Sequence, residues 1–291
     1  MEIQKIPIWV DAAQALHAGS RTHPESPLRI AGIIDALGEI SDKITIHAYN
    51  DFEFPRTPQS YKQGRTWRLV DGDTYETQYT KILVERGKEL IIEAVASDSP
   101  VGFVLIRPPG HHASPDKRAG FCHFNNVWYA AEIALAVGYK QIAILDWDVH
   151  HGDGTEKHVK KAADSRVKFV SLHAFGDGIY PGTGKKSSTL QGVLNIPLPQ
   201  GTEPKEYLEA FHERAMTYLC EDGIPDLVLV SAGYDAHKDD PMGLMNLEES
   251  TYREMSATLR GLGCKVVFIL EGGYNPEVLG SCVVATLSAW F

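Results

Sequence analysis

Residues 141–154 read QIAILDWDVHHGDG, and this stretch carries both a fold signal and a chemical signal. Its first part is almost continuously apolar and β-branched, which is typical of a strand buried on both faces of a parallel sheet. Its second part changes at once to acidic and imidazole side chains, followed by glycines that let the chain turn away. Open parallel sheets bind ligands at the carboxyl ends of their strands. The stretch therefore predicts an α/β fold with a functional site where this strand ends.

Similar apolar runs recur along the chain, each bounded by Gly, Pro or Asp. The six predicted strands are 6–10, 101–106, 141–146, 167–172, 226–231 and 265–270. The helical patterns between and after them are 27–39, 75–97, 125–138, 204–220, 248–262 and 276–290. This alternation is typical of a mostly parallel sheet with helices on both faces. We expect one domain over residues 1–291, with long functional loops at 49–74 and 173–192.

Composition and charge exclude several classes of protein. The chain is 43% hydrophobic and 23% charged, which is the balance of an ordinary folded protein. It has 28 Lys and Arg against 38 Asp and Glu, a formal net charge of −10, which disfavours nucleic acid as a direct ligand and permits a cationic substrate. No apolar run approaches the ~20 residues that span a bilayer. We expect a reduced cytoplasmic protein without a signal peptide, because no CxxC pair occurs among its cysteines, Cys122, Cys220, Cys264 and Cys282.

Side chains that can bind a metal follow two of the predicted strands. Asp148 and His150 are two residues apart, so on extended backbone they leave the same face and can reach one ion together. The segment SAGYDAH brings Asp235 to the end of another strand. Two carboxylates and one imidazole leave a coordination position open, as in a catalytic metal site. For either segment alone, helix capping or loop packing is an equally good explanation.

Two further segments supply acid–base and hydrogen-bonding groups. RPPGHH ends with the consecutive His111 and His112, which are natural general acids or bases near neutral pH. Asp146 and Asp153 are available as carboxylates that could orient these imidazoles. EGGY places Tyr274 after two glycines at the end of the last strand, where its hydroxyl could donate a hydrogen bond to a developing oxyanion. Taken alone, this tyrosine is also consistent with core packing.

Six motifs occur in order along the chain: RPPGHH, GFCHFNN, DWDVHHGDG, SLHAF with YPGTG, SAGYDAH and EGGY. In residue type, order and spacing, from HPESPLR at 23–29 onward, they resemble the zinc-dependent histone deacetylase family of the arginase-deacetylase fold. The HPESP and RPPGHHASPD segments are most similar to the class II branch, and the length resembles that of bacterial or single-domain members. The resemblance covers almost the whole chain. It implies a single catalytic domain with about eight mostly parallel strands.

The resemblance also implies a role for each candidate residue. The ligands of one Zn²⁺, or of Fe²⁺ in its place, would be Asp148, His150 and Asp235. His112 would be the general base and His111 its electrostatic partner. Asp153 and Asp146 would orient His112 and His111, respectively. Tyr274 would donate to the oxyanion. A structural K⁺ or Na⁺ would be bound by Asp146, Asp148, Ser171 and the main-chain carbonyls of His150 and Leu172.

A narrow tunnel for the acyl-lysine side chain follows from the same resemblance. Its residues would be Gly120, Phe121, Phe175, Gly233 and Met242. The two phenylalanines would form walls that bury the lysine methylenes with little polar penalty. The carbonyl of Gly120 would accept the amide N–H of the acyl-lysine.

The leading hypothesis is therefore a zinc-dependent amidohydrolase that removes acetyl or related acyl groups from lysine in proteins or peptides. The alternative is an acetylpolyamine amidohydrolase. Polyamine-preferring class II relatives have a Glu where this chain has Met242, which favours lysine, whereas the net charge of −10 favours a polyamine. A di-manganese ureohydrolase is supported only by DAHKD at 235–239. A catalytically inactive reader of acyl-lysine is expected to lack part of the metal and catalytic set, and here the set is complete.

Overall fold

The computed structural model describes residues 5–50 and 67–291. The strands in this part of the chain are β1 (Ile6–Asp11), β2 (Ile44–Tyr49), β3 (Trp67–Leu69), β4 (Tyr75–Thr77), β5 (Val101–Leu105), β6 (Ile142–Asp146), β7 (Val167–Ala174), β8 (Val193–Leu198), β9 (Leu227–Ala232) and β10 (Lys265–Leu270). Eight of them form one parallel sheet in the order β2-β1-β5-β10-β9-β6-β7-β8. β3 and β4 form a separate antiparallel hairpin.

The helices pack into two groups. They are α1 (Leu28–Leu37), α2 (Thr80–Ala96), α3 (Asn126–Val137), α4 (Asp153–Ala162), α5 (Pro204–Ala210), α6 (Thr217–Leu219), α7 (Glu249–Gly261) and α8 (Pro276–Ser288). A π-helical segment, Phe211–Met216, joins α5 to α6. α3 contacts α2 and α4, while α8 contacts α1 and α7. No helix in the described residues is long and apolar enough to cross a membrane.

The six strands expected from apolar runs are all present, and the central ones are completely buried. Every residue of β5, β6 and β9 is inaccessible to solvent, because helices cover the sheet on both sides. Each of the six helical patterns also contains a helix. The expected mostly parallel α/β architecture is therefore confirmed, and the described strands of the main sheet are all parallel.

Two strands of the main sheet and one helix were missed by the sequence analysis. β2 and β8 lie at the two edges of the sheet, so they have fewer buried neighbours and lack continuous apolar runs. In β2 only Ile44 is buried, and β8 contains Asn195 and Pro197, the latter a residue tolerated at sheet edges. α4 is largely polar, because little more than Thr155 and Val159 faces the core.

The boundaries of two other expectations are corrected. The helix predicted over 75–97 begins only at Thr80, because Tyr75–Thr77 pairs with β3. Within the loop predicted at 49–74, residues 51–66 lie outside the described residues, and the last part forms the β3–β4 hairpin. In the other predicted loop, β7 continues to Ala174 before an irregular segment begins.

The order of the strands brings the motifs together. β5, β10, β9, β6 and β7 are consecutive neighbours in the sheet, although they are not consecutive in the chain. RPPGHH, EGGY, the GYD of SAGYDAH, WDVHHGDG and the end of SLHAF directly follow or end these five strands. Because the strands are parallel, all five segments lie at one edge of the sheet. This edge is where an open α/β sheet binds its ligand.

Helices α1 and α8 cross at two glycines, and a substitution there tests how closely the two helices pack. A Cβ added at Gly32 would overlap the carbonyl of Pro276, and backbone cannot move aside as a side chain can. Gly32→Ala should therefore lower the free energy of unfolding by about 1–3 kcal/mol, measured by chemical denaturation. Gly38→Ala is the control, since an added Cβ there meets nothing within 4 Å and the backbone is helical. Equal stability of the two variants would contradict this close crossing.

Candidate metal centre and active site

Three buried side chains converge where β6 and β9 end. One ligand atom from each of Asp148, His150 and Asp235 lies within 4.8 Å of the others. His150 Nδ1 is 3.1 Å from Asp148 Oδ1 and 3.2 Å from Asp235 Oδ2. In the described part of the chain no other set of His, Cys, Asp or Glu side chains forms such a group. The structure thus brings together the three predicted ligands.

Backbone donors hold the two carboxylates but leave one oxygen unpaired. The N–H groups of His150 and Gly272 donate to Asp148 over 2.9 and 2.8 Å, and the N–H of Val149 donates to Asp235 Oδ1 over 2.9 Å. Asp235 Oδ2 is buried and accepts no hydrogen bond within the described residues. Burial and the neighbouring Asp148 raise the pKa of Asp235 to about 6. A buried carboxylate of this kind favours a bound cation, and one nitrogen with two carboxylates fits a catalytic zinc or iron site.

Two glycines are required at this centre. A Cβ at Gly233 would overlap the Asp148 carboxylate, and a Cβ at Gly272 would overlap Asp235 while lying 2.5 Å from Asp148 Oδ2. Gly233 directly follows β9 and Gly272 lies two residues after the end of β10, so the turns they form pass close to the predicted ligands. Gly233, predicted as a substrate-pocket residue, thus lies against a metal ligand.

The two histidines of RPPGHH lie beside the metal centre, each next to a carboxylate. His111 Nδ1 is 3.0 Å from Asp146 Oδ2, and His112 Nδ1 is 2.9 Å from Asp153 Oδ1. The two imidazole rings are 4.0 Å apart between centroids. These are the pairs that the sequence analysis names; the catalytic role of each residue stays a prediction.

The electrostatic environments of the two histidines are opposite. Burial, together with the positive His111, lowers the pKa of His112 to about 3. Burial by itself would lower the pKa of His111. The negative charges of Asp148 and Asp146 have a larger, opposite effect and hold the pKa of His111 well above its usual value. At neutral pH, His111 is therefore protonated and His112 is neutral. With Nδ1 of His112 donating to Asp153, its Nε2 is left free to accept a proton.

Tyr274 reaches the same edge from the end of β10. Gly273, with φ of 114°, turns the chain before it, and the Tyr274 N–H donates to Asp240 Oδ2 over 2.6 Å. Its ring lies edge-on to Phe121, with centroids 5.7 Å apart. Burial and the nearby Asp235 raise the pKa of Tyr274, so its hydroxyl stays protonated at neutral pH and can donate a hydrogen bond.

Three of the predicted tunnel residues, Gly120, Phe121 and Gly233, lie against side chains of this centre. Gly120 has φ of 55°, and a Cβ there would overlap the His112 ring. Phe121 also has positive φ, 66°, a strained conformation for a phenylalanine that suggests a functional constraint. Phe175 is half-buried just beyond β7, and Met242 is half-buried with its N–H donating to Asp240 Oδ1 over 2.9 Å.

The residues predicted to bind a monovalent cation lie at the ends of β6 and β7. Asp146 and Ser171 are register partners, and Leu172 follows in the same buried strand. Ser171 Oγ is 2.9 Å from His173 Nδ1, and Asp146 Oδ1 accepts the Asp148 N–H over 3.2 Å. These groups are close in the fold, and the identity of any cation they bind stays a prediction.

Sequence reasoning missed two residues at this edge. Glu271 is fully buried, and its Oε2 accepts the N–H groups of Gly110 and His111 over 2.7 and 3.1 Å, which fixes the loop that carries the histidines. Tyr180 lies edge-on to His112, with ring centroids 4.9 Å apart, although it is 40% exposed. Glu271 is the first residue of the EGGY motif and Tyr180 the first residue of the YPGTG motif. Their places in these motifs were the signal in the sequence that could have identified them.

A buried ion cluster explains the HPESPLR motif, for which the sequence analysis had no structural account. Glu25 Oε1 lies 2.5 Å from Arg107 Nε and 3.4 Å from the Arg29 guanidinium, and all three side chains are inaccessible. Arg107, despite the opposing effect of burial, holds the pKa of Glu25 well below its usual value. Arg29 also donates to the Gly273 carbonyl over 2.6 Å and lies 5.0 Å from the centre of the Tyr274 ring. The segment that contains Arg29 thereby supports the backbone and the ring of Tyr274.

The glycine beside the ligands gives a test of the metal centre that needs no activity assay. Wild-type protein should bind one divalent ion per chain, and Gly272→Ala should weaken zinc binding by about 10–100-fold, because the new methyl displaces both carboxylates. Gly261→Ala, at the end of α7 with nothing within 4 Å, is the matched control. Both are measured by competitive zinc titration. Unchanged affinity in Gly272→Ala would contradict this site, and two manganese ions per chain would favour the ureohydrolase alternative.

Comparisons with known proteins agree with the motifs and the fold. The histone deacetylase domain family matches residues 74–290. Histone deacetylase 14, chloroplastic, of Arabidopsis thaliana is 34% identical, over 94% of this chain and 74% of that protein. The crystal structure of the HDA15 HD domain is similar with a TM-score of 0.87 and 28% identity, covering 99% of this chain and 88% of that chain. Acetylpolyamine aminohydrolase from Burkholderia pseudomallei shares the fold, with a TM-score of 0.82, 23% identity and 98% of both chains covered. The chain therefore belongs to the histone deacetylase family and has the arginase-deacetylase fold.

Proposed function

We propose that this protein is a zinc-dependent deacylase that hydrolyses the side-chain amide of acyl-lysine in proteins or peptides. Membership of the family supports a deacetylase-type amidohydrolase. The observation that carries the finer proposal is the meeting of the metal triad, a neutral imidazole and a phenol hydroxyl at one edge of the sheet. Metal-assisted hydrolysis of an amide can use all three components, because an amide is a poor electrophile and its amine is a poor leaving group.

Asp148, His150 and Asp235 would bind the zinc. When bound, zinc would supply a Lewis acid that polarises the amide carbonyl and makes water more acidic. Since two of the three ligands are carboxylates, that acidity is moderated and a base must assist. The structure offers His112 for this task.

His112 would take the proton of the attacking water. Its Nδ1 is held by Asp153, which leaves Nε2 as the accepting atom and stabilises the imidazolium that forms. The same Nε2 can then return the proton to the leaving amine. His111, held in its charged form by Asp146 and Asp148, would supply a fixed positive charge beside the reacting atoms.

Tyr274 would stabilise the charge that develops on the carbonyl oxygen. Its hydroxyl stays protonated, so it can donate a hydrogen bond to an oxyanion that exists only as the water attacks. The backbone of Tyr274 is held through its own N–H and through the preceding carbonyl, so the ring is oriented before substrate arrives. Such preorganised donors cost no rearrangement during the reaction.

The substrate side chain would lie along Phe121 and Phe175. These phenyl rings can cover the four methylenes of an acylated lysine, whose end is uncharged. The carbonyl of Gly120 would accept the amide N–H. After hydrolysis the lysine becomes charged, and desolvation of that charge favours release.

Met242 is the reason to prefer lysine over a polyamine. Acetylpolyamines carry a second ammonium at the far end, which a partly exposed carboxylate at the tunnel rim would attract by about 1–1.4 kcal/mol. Met242 offers that ammonium nothing, but it offers a peptide a soft apolar surface. The alternative function, hydrolysis of acetylpolyamines, is favoured by the net charge of −10.

A structural K⁺ or Na⁺ completes the proposal. Asp146, Asp148, Ser171 and the carbonyls of His150 and Leu172 would bind it. Its charge would offset part of the negative charge of the two buried carboxylates and so support the metal centre.

Tyr274→Phe tests the oxyanion role. The variant lacks only the hydroxyl, so zinc content and KM for an acetyl-lysine peptide should stay near wild type while kcat falls by about 10²-fold or more. Steady-state kinetics with metal analysis measures this. Wild-type turnover by the phenylalanine variant would remove Tyr274 from the mechanism.

Met242→Glu tests the choice of substrate. Wild-type protein should have a higher kcat/KM for acyl-lysine peptides than for acetylputrescine or acetylspermidine. The glutamate variant should shift this ratio toward the polyamines by about tenfold, the factor that ~1.4 kcal/mol represents. If wild-type protein prefers an acetylpolyamine to every acyl-lysine peptide in a panel of acyl groups, the polyamine function replaces the proposal.

A further inference from the structure

One carboxylate in the loop after β9 connects two parts of the site. Asp240 is 8% exposed, and its Oδ2 accepts the N–H groups of Tyr274 and Asn275 over 2.6 and 3.2 Å. Its other oxygen, Oδ1, accepts the N–H of Met242 over 2.9 Å. Three backbone donors from two separate loops therefore meet on a single side chain. Neither the metal ligands nor the histidine pair explains this arrangement.

The loop that carries Asp240 is tightly wound. It begins at the ligand Asp235, and the Asp240 N–H donates to the carbonyl of His237 over 3.0 Å. Gly243 closes the turn by donating to the carbonyl of Asp240 over 2.9 Å. A Cβ at Gly243 would lie 2.8 Å from the His237 carbonyl oxygen, so the turn has no room for a side chain at this position. The backbone that carries Asp240 is thus held by hydrogen bonds on both sides of this residue.

The orientation of Tyr274 needs such a support. Two glycines precede it, and Gly273 is in a left-handed conformation that leaves the chain direction to be set by other contacts. Because the phenol hydroxyl is far from Cα, a small tilt of the backbone becomes a large displacement of the oxygen. A misplacement of about 1 Å at a reacting group can cost about 10²-fold in rate.

We infer that Asp240 is a positioning residue that holds the Tyr274 hydroxyl where it can donate to the oxyanion. Asp240 also connects the backbone of Tyr274 to the loop that contains Met242. The inference depends on the oxyanion role proposed for Tyr274. Asp240 does not touch the reacting atoms; it acts through the N–H of Tyr274. The same carboxylate joins two segments of the proposed substrate site. The segment with Met242 would contact the far end of the substrate, and the segment with Tyr274 would contact its reacting end.

An asparagine cannot reproduce these contacts. Its one carbonyl oxygen can face only one of the two loops, and its NH₂ group would face a backbone N–H on the other. Asp240→Asn should therefore disturb one of the two loops while leaving the side-chain volume almost unchanged. Asp240→Ala removes both acceptors and serves as the second variant.

A double-mutant cycle separates positioning from a general structural role. We expect Asp240→Ala, which removes the acceptor for the Tyr274 N–H, to lower kcat for an acetyl-lysine peptide by about tenfold, with KM changed by less than about threefold. In a Tyr274→Phe background the same substitution should change kcat by less than about twofold, because there is no hydroxyl left to misplace. Thermal unfolding and zinc content are measured for each variant, so that kcat refers to folded, metal-loaded protein.

The neighbouring carboxylate provides a matched control. Asp239 precedes Asp240, but its side chain is 62% exposed, and Asp239→Asn should leave kcat near wild type. Equal losses from Asp240→Ala with and without the Tyr274 hydroxyl would overturn the inference, as would wild-type kcat in both Asp240→Asn and Asp240→Ala. If Tyr274→Phe alone has no effect, the proposed oxyanion role fails first, so the two failures are distinguishable.

Discussion

Two like-charged carboxylates, Asp148 and Asp235, are buried close together at the ends of neighbouring strands, and the rest of the site depends on how their charge is compensated. Water is excluded, so their repulsion is weakly screened and each must find a cation or a backbone donor. Backbone N–H groups supply part of the compensation, and Gly272 both donates one of them and leaves room for the ligands by lacking a Cβ. No backbone donor in the described residues reaches Asp235 Oδ2, so His150, 3.2 Å away, and a bound metal ion would supply the remaining compensation. Three strand ends must therefore meet within a few ångströms, which only the order β10-β9-β6 provides.

Buried carboxylates give the two consecutive histidines opposite charge states. His111 lies between Asp146 and Asp148 and is held positive. That positive charge, together with burial, keeps His112 neutral even though Asp153 partly opposes the effect. Two identical side chains thus become a fixed cation and a proton acceptor, solely through their neighbours. Glu271 keeps both in place by binding the backbone that carries them.

In the proposed function, the chemistry at the metal and the selection of substrate would reside in different parts of the fold. Hydrolysis of an acetylated lysine and of an acetylated polyamine would require the same groups at the strand ends, so the core of the site would not distinguish them. Loops at the rim would do so, through Phe121 and Met242. The loop that follows β9 joins the two parts, because it carries the ligand Asp235 at its start and Met242 near its end. This continuity is the structural basis for Asp240 connecting them.

The amino-acid sequence by itself determined the central strands, the helices that cover them and the residues with metal-binding and acid–base chemistry, because burial on both faces and motif spacing are local patterns. It missed β2, β8 and α4, whose exposed positions dilute the apolar pattern. Only the tertiary structure decided that strands distant in the chain are neighbours, since that order is set by packing and not by periodicity. It alone joined Glu25 to Arg107, and Asp240 to Tyr274. These contacts span 82 and 34 residues and leave no local signature, because an isolated acid or arginine in a sequence does not show which distant group it will bind.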